Sequence, residues 1–293
     1  MNTKLSWSQF IKTFERIYNI IKRVVFYSTV GLCLILSLSF GIGIGYFVSL
    51  ISTSQPVSDQ ELKTHILNIP DHHKLDLKHR TLIEAYNEAD STVIAGPENV
   101  SPYVPKALTA SEDSDFYRHN GILPKAILRA MYQDIFNLQY GTGGSTITQQ
   151  LVKNQLLTNE QTYNRKAQEI TLALRTEKLF SKDEIMFTYL NIVPFGRDTN
   201  GAHITGISAA AYGIFGKSSQ YINLAESAYL VGLLQSPYFY TPYLEDGSYK
   251  PKSAIKMGIY RQHYVLKRMR VEKLITKAEY EAAMAYDIES AIR

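Results

Sequence analysis

Three short stretches of this 293-residue chain concentrate the residue types that move protons and hold oxygen-rich anions. In "TASEDSDFYRHNG", residues 109–121, Glu112, Phe116 and His119 fall at i, i+4 and i+7, the spacing of one helix face. A carboxylate beside an aromatic ring on a half-buried face has its pKa raised, as a general base or acid requires. The plainer alternative makes Glu112 the last member of a Thr109-x-x-Glu112 capping box, His119 a structural hydrogen-bonder and Asn120-Gly121 a helix stop. In "GTGGSTITQQLVKN", residues 141–154, Gly143-Gly144 precede a helix start rich in hydroxyls. Open N–H groups and the hydroxyls of Ser145, Thr146 and Thr148 would there face an anion. No Gly-Lys-Ser/Thr follows, so this is not a nucleotide-binding loop. Thr146, Gln150, Lys153 and Asn154 lie near one face, a set suited to a sugar diphosphate. A Ser-capped helix with solvated glutamines is the alternative.

The third stretch is "NRKAQE", residues 164–169. Arg165 and Lys166 precede Glu169 by four and three residues, which on a solvated helix is worth only about 0.3–0.5 kcal/mol. The opposite face (Ile170, Leu172, Leu174) is core-like, and charges return at Arg175, Glu177 and Lys178. Cations beside a second carboxylate would neutralise a departing pyrophosphate.

These residues need helices to hold them. From Lys106 onward strand alternation is scarce and helix starts recur: Thr158-x-x-Gln161, Ser181-x-x-Glu184 and Thr276-x-x-Glu279 each fit a capping box. The body reads as one mainly α domain, introduced by the proline-punctuated "AGPENVSPYVP". Residues 52–95 are polar and mixed, with helical spacing around Leu75, Leu82, Ile83 and Tyr86, and read as a stem. Ahead of it, residues 24–51 carry no charge and exceed the roughly 20 residues that cross a bilayer, with no cleavage site of small residues. In residues 1–23, Lys4, Lys12, Arg16, Lys22 and Arg23 face Glu15 alone, so the whole net charge of +4 resides in this tail. The positive-inside rule keeps such a tail cytoplasmic and sends the large C-terminal part outside, a single-pass type II arrangement. The basic balance is a topology signal and gives no reason to expect nucleic acid. A lone cysteine, Cys33, excludes a disulfide within the chain and a cysteine-based metal site.

Taken in order, "EDSDFYRHNG", "GGSTITQQLVKN", "RKAQE", "KDEIMFTYLNIVPFG", "AAAYGIFGK" and "NLAESAYLVGLLQSPYFYTP" resemble the peptidoglycan glycosyltransferases, family 51 of the glycosyltransferases. These are the polymerase domains of class A penicillin-binding proteins and of monofunctional transglycosylases, and the likeness looks nearest to streptococcal class A enzymes. It spans roughly residues 96–285. The resemblance implies a mainly helical, lysozyme-like fold with a small membrane-dipping lobe, for which "ILPKAILRAMYQDIFNL", residues 122–138, is the apolar candidate. It implies a domain over residues 96–245, with residues 246–293 a helical extension towards a transpeptidase domain beyond the chain. Ser253-x-x-Lys256 matches the transpeptidase nucleophile motif by chance, since no S-x-N or K-T-G follows.

The implied reaction joins lipid II to a glycan chain growing on undecaprenyl diphosphate, with inversion at the donor carbon. Carried over by resemblance, Glu112 is the base, and Asp113 orients the site beside it. Glu169 is the second carboxylate, which assists pyrophosphate departure or binds a divalent cation, Mg2+ or Mn2+; no organic cofactor is implied. Lys153, Arg165 and Lys166 surround the donor pyrophosphate, and Thr148, Gln149 and Gln150 form its polar cradle. Phe116, His119, Ser145, Thr146, Asn154, Tyr189 and Asn191 complete the expected binding set. The implied partners are the membrane and the cell-division or elongation machinery. Two departures stand out: Gln161 where many members have a basic residue, and Met186-Phe187 where many have Leu-Glu. A lytic glycan-cleaving enzyme and a non-catalytic anchored scaffold are the rival readings. The cation cluster speaks against the first, and the presence of both carboxylates against the second.

Overall fold

An uncharged segment placed in lipid must satisfy its own backbone hydrogen bonds, and a continuous helix does so. The computed structural model describes residues 7–52, 57–69, 95–127, 129, 144–158, 160 and 162–293, and its first element is helix α1, Trp7–Ser52. The helix starts well before the expected membrane segment and runs on through the basic tail. There Trp7, Phe10, Phe14, Ile17, Tyr18 and Ile21 keep amphipathic spacing. The whole helix is about 69 Å long, more than twice a hydrocarbon core of ~30 Å. Eighteen consecutive residues within its stretch Gln9–Leu50 reach a mean hydropathy of 2.0, so the helix is long and apolar enough to cross a membrane.

The chain divides into two compact units, Met1–Gln55 and Pro56–Arg293. The second is mainly α, as the recurring capping signals predict. Its helices are α2 (Asp59–Ile66), α3 (Tyr103–Glu112), α4 (Ile147–Leu156), α5 (Tyr163–Leu179), α6 (Lys182–Ile192), α7 (Ile207–Phe215), α8 (Leu224–Leu233), α9 (Pro237–Tyr240), α10 (Lys252–Val271), α11 (Lys277–Met284) and α12 (Ile288–Ala291). Strands β1 (Pro194–Arg197) and β2 (His203–Thr205) pair as an antiparallel hairpin. Helix α8 is mostly apolar and buried along its full length, as an encircled core helix must be, and its buried Glu226 is paired with Lys217 at 2.6 Å. It packs against α3 and α10, while α4 packs against α5 and α6, and α2 lies on α4 and α5.

The predicted boxes Ser181–Glu184 and Thr276–Glu279 form. The start expected at Thr158 does not: Thr162 caps α5 instead, accepting from the Arg165 N–H at 3.1 Å. Gln161, like residues 70–94 of the stem and most of the 122–138 stretch, lies outside the described residues. The expected boundary at residue 245 is not where the fold divides. Val265, Leu266 and Met269 on α10 are fully buried in the shared core, and the Arg293 N–H donates to Ile214 O at 2.8 Å. The segment 246–293 is built into the same unit because its apolar stripe has no other place to hide from water.

Candidate active site

Helix α3 ends at Glu112 because Asp113 (φ −156°) leaves helical space and residues 114–118 turn. The predicted helix face through residues 112, 116 and 119 therefore does not exist. Phe116 is fully buried, with Lys182 Nζ 4.5 Å from its ring centroid, and has no surface to offer a ligand. The capping-box alternative fails as well. Thr109 sits inside α3, its hydroxyl donating to the carbonyls of Pro105 and Lys106.

Glu112 itself is half-buried at the helix end. Burial pushes its carboxyl above the ordinary glutamate range, and the neighbouring Asp113 charge adds to this. Three groups pull the other way: the amide of Gln150, then the charges of Arg261 and Lys153. Gln150 Nε2 donates to Glu112 Oε2 at 3.2 Å, and the Tyr189 hydroxyl donates to Gln150 Oε1 at 2.8 Å. This chain fixes the amide's orientation, because only its N–H side can face a carboxylate. Burial holds the Tyr189 hydroxyl well above the usual tyrosine range, with Glu112's charge adding to it, so it remains a donor.

The mouth of α4, expected to be an open anion dock, is already filled by the protein. Asp113, only 3% exposed, accepts the Ile147 N–H at 3.0 Å and is itself the anion at that helix terminus. Thr146 and Gln149 close a reciprocal box: the Gln149 N–H donates to Thr146 Oγ1, and the Thr146 N–H donates to Gln149 Oε1. The Thr146 hydroxyl then donates to Gly121 O at 2.6 Å. Gly121 has φ +91°, and a Cβ there would lie 2.7 Å from Ala173 O on α5, so no other residue fits this turn. His119 Nδ1 accepts the Gly121 N–H at 3.0 Å, which leaves Nε2 to donate to Asp113 at 2.9 Å. Asp113, His119, Thr146 and Gln149 thus lock the end of α3 and the turn after it to the start of α4. Their polar groups bond to the protein itself, except Gln149 Nε2, which is buried with no partner among the described residues.

Across this joint lies the second carboxylate. Glu169, 2% exposed, has one oxygen 2.9 Å from Arg165 Nη1 and the other bonded to Lys166 Nζ. Lys166 also donates to Ser145 Oγ at 2.9 Å, tying the cluster to the residue just before the α4 cap. Lys153 is half-buried and Asn154 exposed on the outer part of α4. Two further expected contacts are structural. Thr148 is buried and donates to Glu177 Oε1 at 2.5 Å, which Lys182 also holds. Asn191 is buried and pins Ala95 through both backbone groups.

Sequence reasoning missed Arg261. It belongs to the segment taken as an extension, yet its charge acts on Glu112, and its guanidinium lies 4.4 Å from the Tyr264 ring centroid. Its Nε–H is buried without an acceptor among the described residues. The signal was present: an arginine between Gly258, Gln262 and Val265, on a helix whose buried stripe runs beside it. The residues do not fit a divalent cation. Among the described residues no three His, Cys, Asp or Glu side chains converge, and both Glu169 oxygens already serve cations. A metal ion there would have to displace Arg165 and Lys166.

Comparison with known proteins settles the family. The profile described as Transglycosylase matches residues 79–270, most of the chain. The chain belongs to the transglycosylase family. Among transglycosylase relatives, penicillin-binding protein 1A of Clostridium perfringens strain 13 is 40% identical over 191 residues, covering 64% of this chain and 27% of that protein. Penicillin-binding protein 1A of Aquifex aeolicus is 41% identical over 190 residues (64% and 24%), and that of Escherichia coli K12 is 36% identical over 184 (63% and 20%). A crystal structure of penicillin-binding protein 1A from Haemophilus influenzae aligns at 29% identity over 48% of this chain and 16% of that one, with a TM-score of 0.30. The chain spans about a quarter of the length of the relatives it matches.

The charges around Glu112 make a pH prediction for this member of the family. With Glu112 as the expected base, activity falls as pH drops through its pKa, so the acid limb should lie above the ordinary glutamate range. Arg261 lowers that pKa. Arg261→Gln should therefore move the acid limb of kcat/KM to higher pH, a profile readable by titrating the rate. A shift to lower pH would detach Arg261 from the site.

Proposed function

We propose that this domain polymerises lipid II into peptidoglycan strands. The 4-hydroxyl of the acceptor GlcNAc attacks C1 of the growing chain's terminal MurNAc, and the undecaprenyl diphosphate leaves with inversion at that carbon. Glu112 takes the hydroxyl proton, and Arg165 and Lys166, held by Glu169, offset the charge gathering on the leaving diphosphate. Lys153 is a further donor for phosphate or sugar oxygens. The observation carrying this reading is the pairing of a carboxylate raised by burial with a separate cation cluster, both joined at the start of α4. Simple hydrolysis of a glycan has no need of such a cluster. In this reading α1 is the anchor, with its basic end in the cytoplasm and the catalytic unit outside.

Incubation with lipid II in detergent should yield glycan strands and released undecaprenyl diphosphate, while purified sacculi stay intact. Cleavage of sacculi without polymerisation would overturn the proposal. A phosphoglycolipid of the moenomycin type, which resembles the growing chain, should inhibit. Lys153→Ala should weaken its binding roughly 10–100-fold, the equivalent of one charge-assisted contact of about 1.5–3 kcal/mol. Unchanged affinity in a direct binding measurement would place Lys153 outside the donor site.

A further inference from the structure

The stem does more than space the catalytic unit from the anchor. Its described part carries α2, an eight-residue helix fastened at its start by a Ser58–Glu61 box. Leu62 and Ile66, one turn apart, are fully buried in the core of the catalytic unit. They pack where α2 lies over α4 and α5 together. Polar contacts fasten the two ends of α2 to different helices. At its C-terminal end, Gln155 Nε2 on α4 donates to Ile66 O at 3.1 Å and to Asn68 O at 3.0 Å. At its N-terminal end, Asp59 pairs with Arg175 on α5.

Those two helices carry the two halves of the candidate site. Gln150 and Lys153 stand on α4, and Arg165, Lys166 and Glu169 on α5. Gln155 is two residues from Lys153. The helix pair also packs directly and is tied by two side-chain bonds, Lys166 to Ser145 just before α4 and Thr148 on α4 to Glu177 on α5. We propose that α2 is a brace across α4 and α5, with Gln155 as its positioning residue, and that it fixes the separation between the Glu112 half of the site and the diphosphate half. The proposal rests on the polymerase reading for its kinetic consequence but not for its structural one. Misplacement of reacting groups by about 1 Å costs up to about 10²-fold in rate, so a brace that holds two helices in register has a kinetic signature.

The test is the full chain carrying Asp59→Ala with Gln155→Ala, which leaves Leu62 and Ile66 in place. Hydrogen exchange should accelerate in residues 147–157 and 163–179, while α6 and α8 exchange as before. With lipid II, kcat/KM should fall about tenfold or more, with donor KM raised and the acid limb of the pH profile unmoved. Gln155→Lys, which keeps an N–H donor for the two carbonyls, should restore both readouts in the Asp59 wild-type background. Two results would overturn the brace: exchange faster everywhere with kcat falling at constant KM, which is plain loss of folded protein, or exchange and kinetics both unchanged. If the unaltered chain does not polymerise lipid II at all, the polymerase reading fails, and the exchange experiment still decides the brace.

Discussion

Glu112→Gln should reduce lipid II polymerisation by roughly 10²–10⁴-fold, the usual worth of a positioned general base, while the donor still binds. The substitution keeps shape and a hydrogen-bonding end group, so Gln150 retains a partner and the loss falls on the chemical step. It carries a second, opposite signature. Burial has raised the folded-state pKa of Glu112 above its unfolded value, so above that folded pKa the ionised carboxylate destabilises the native state. That penalty shrinks as pH falls from the folded to the unfolded pKa, and below both it vanishes. Glu112→Gln should therefore raise Tm at neutral pH, and the gain should fade towards acid. Thermal melts across pH read this without substrate. A variant that is both inactive and less stable at neutral pH would mean that Glu112 is a strut.

Removing the second carboxylate should cost activity and stability together. Glu169→Gln leaves Arg165 and Lys166 without the charge that aims them, and a leaving group robbed of preorganised donors loses about 10²–10³-fold in kcat. Breaking a buried ion pair costs about 3–5 kcal/mol. The loss here should sit at the low end, because the two cations are 16% and 36% exposed and regain water. Single-turnover rates corrected for folded fraction separate the two losses. If kcat per folded molecule is unchanged, the cluster is architectural and the diphosphate is held elsewhere.

Residue type and spacing made the charged groups of the candidate site legible more readily than their geometry. Glu112, Gln150, Lys153 and the Arg165–Lys166–Glu169 cluster were readable because charge at helical spacing leaves few arrangements open. The roles of Asp113, His119, Thr146 and Gln149 were not. A polar residue that closes a helix end and one that holds a ligand present the same donors, and only the fold shows which partner arrives first. Phe116 and Asn191 were misplaced for a related reason: a run of identities says that a residue is constrained, not whether the constraint is a ligand or a neighbour. Arg261 was missed because its electrostatic partner lies far back in the chain, beyond any periodicity argument. The long helix α1 shows the complementary error, since amphipathic text in residues 7–23 extends a helix past the point where apolar text begins.

The long reach of α10 sets an order of events during synthesis. Arg268 Nε donates to Ala110 O, a partner 158 residues earlier, and Arg261 on the same helix acts on Glu112. Contacts of such sequence separation form late, after the intervening chain has collapsed. Glu112 therefore emerges from the ribosome, and on the proposed topology crosses the membrane, long before the arginines that complete its surroundings. A nascent chain shorter than about residue 271 holds Glu112 without its electrostatic setting, so on the proposed reading glycan assembly waits until α10 has arrived.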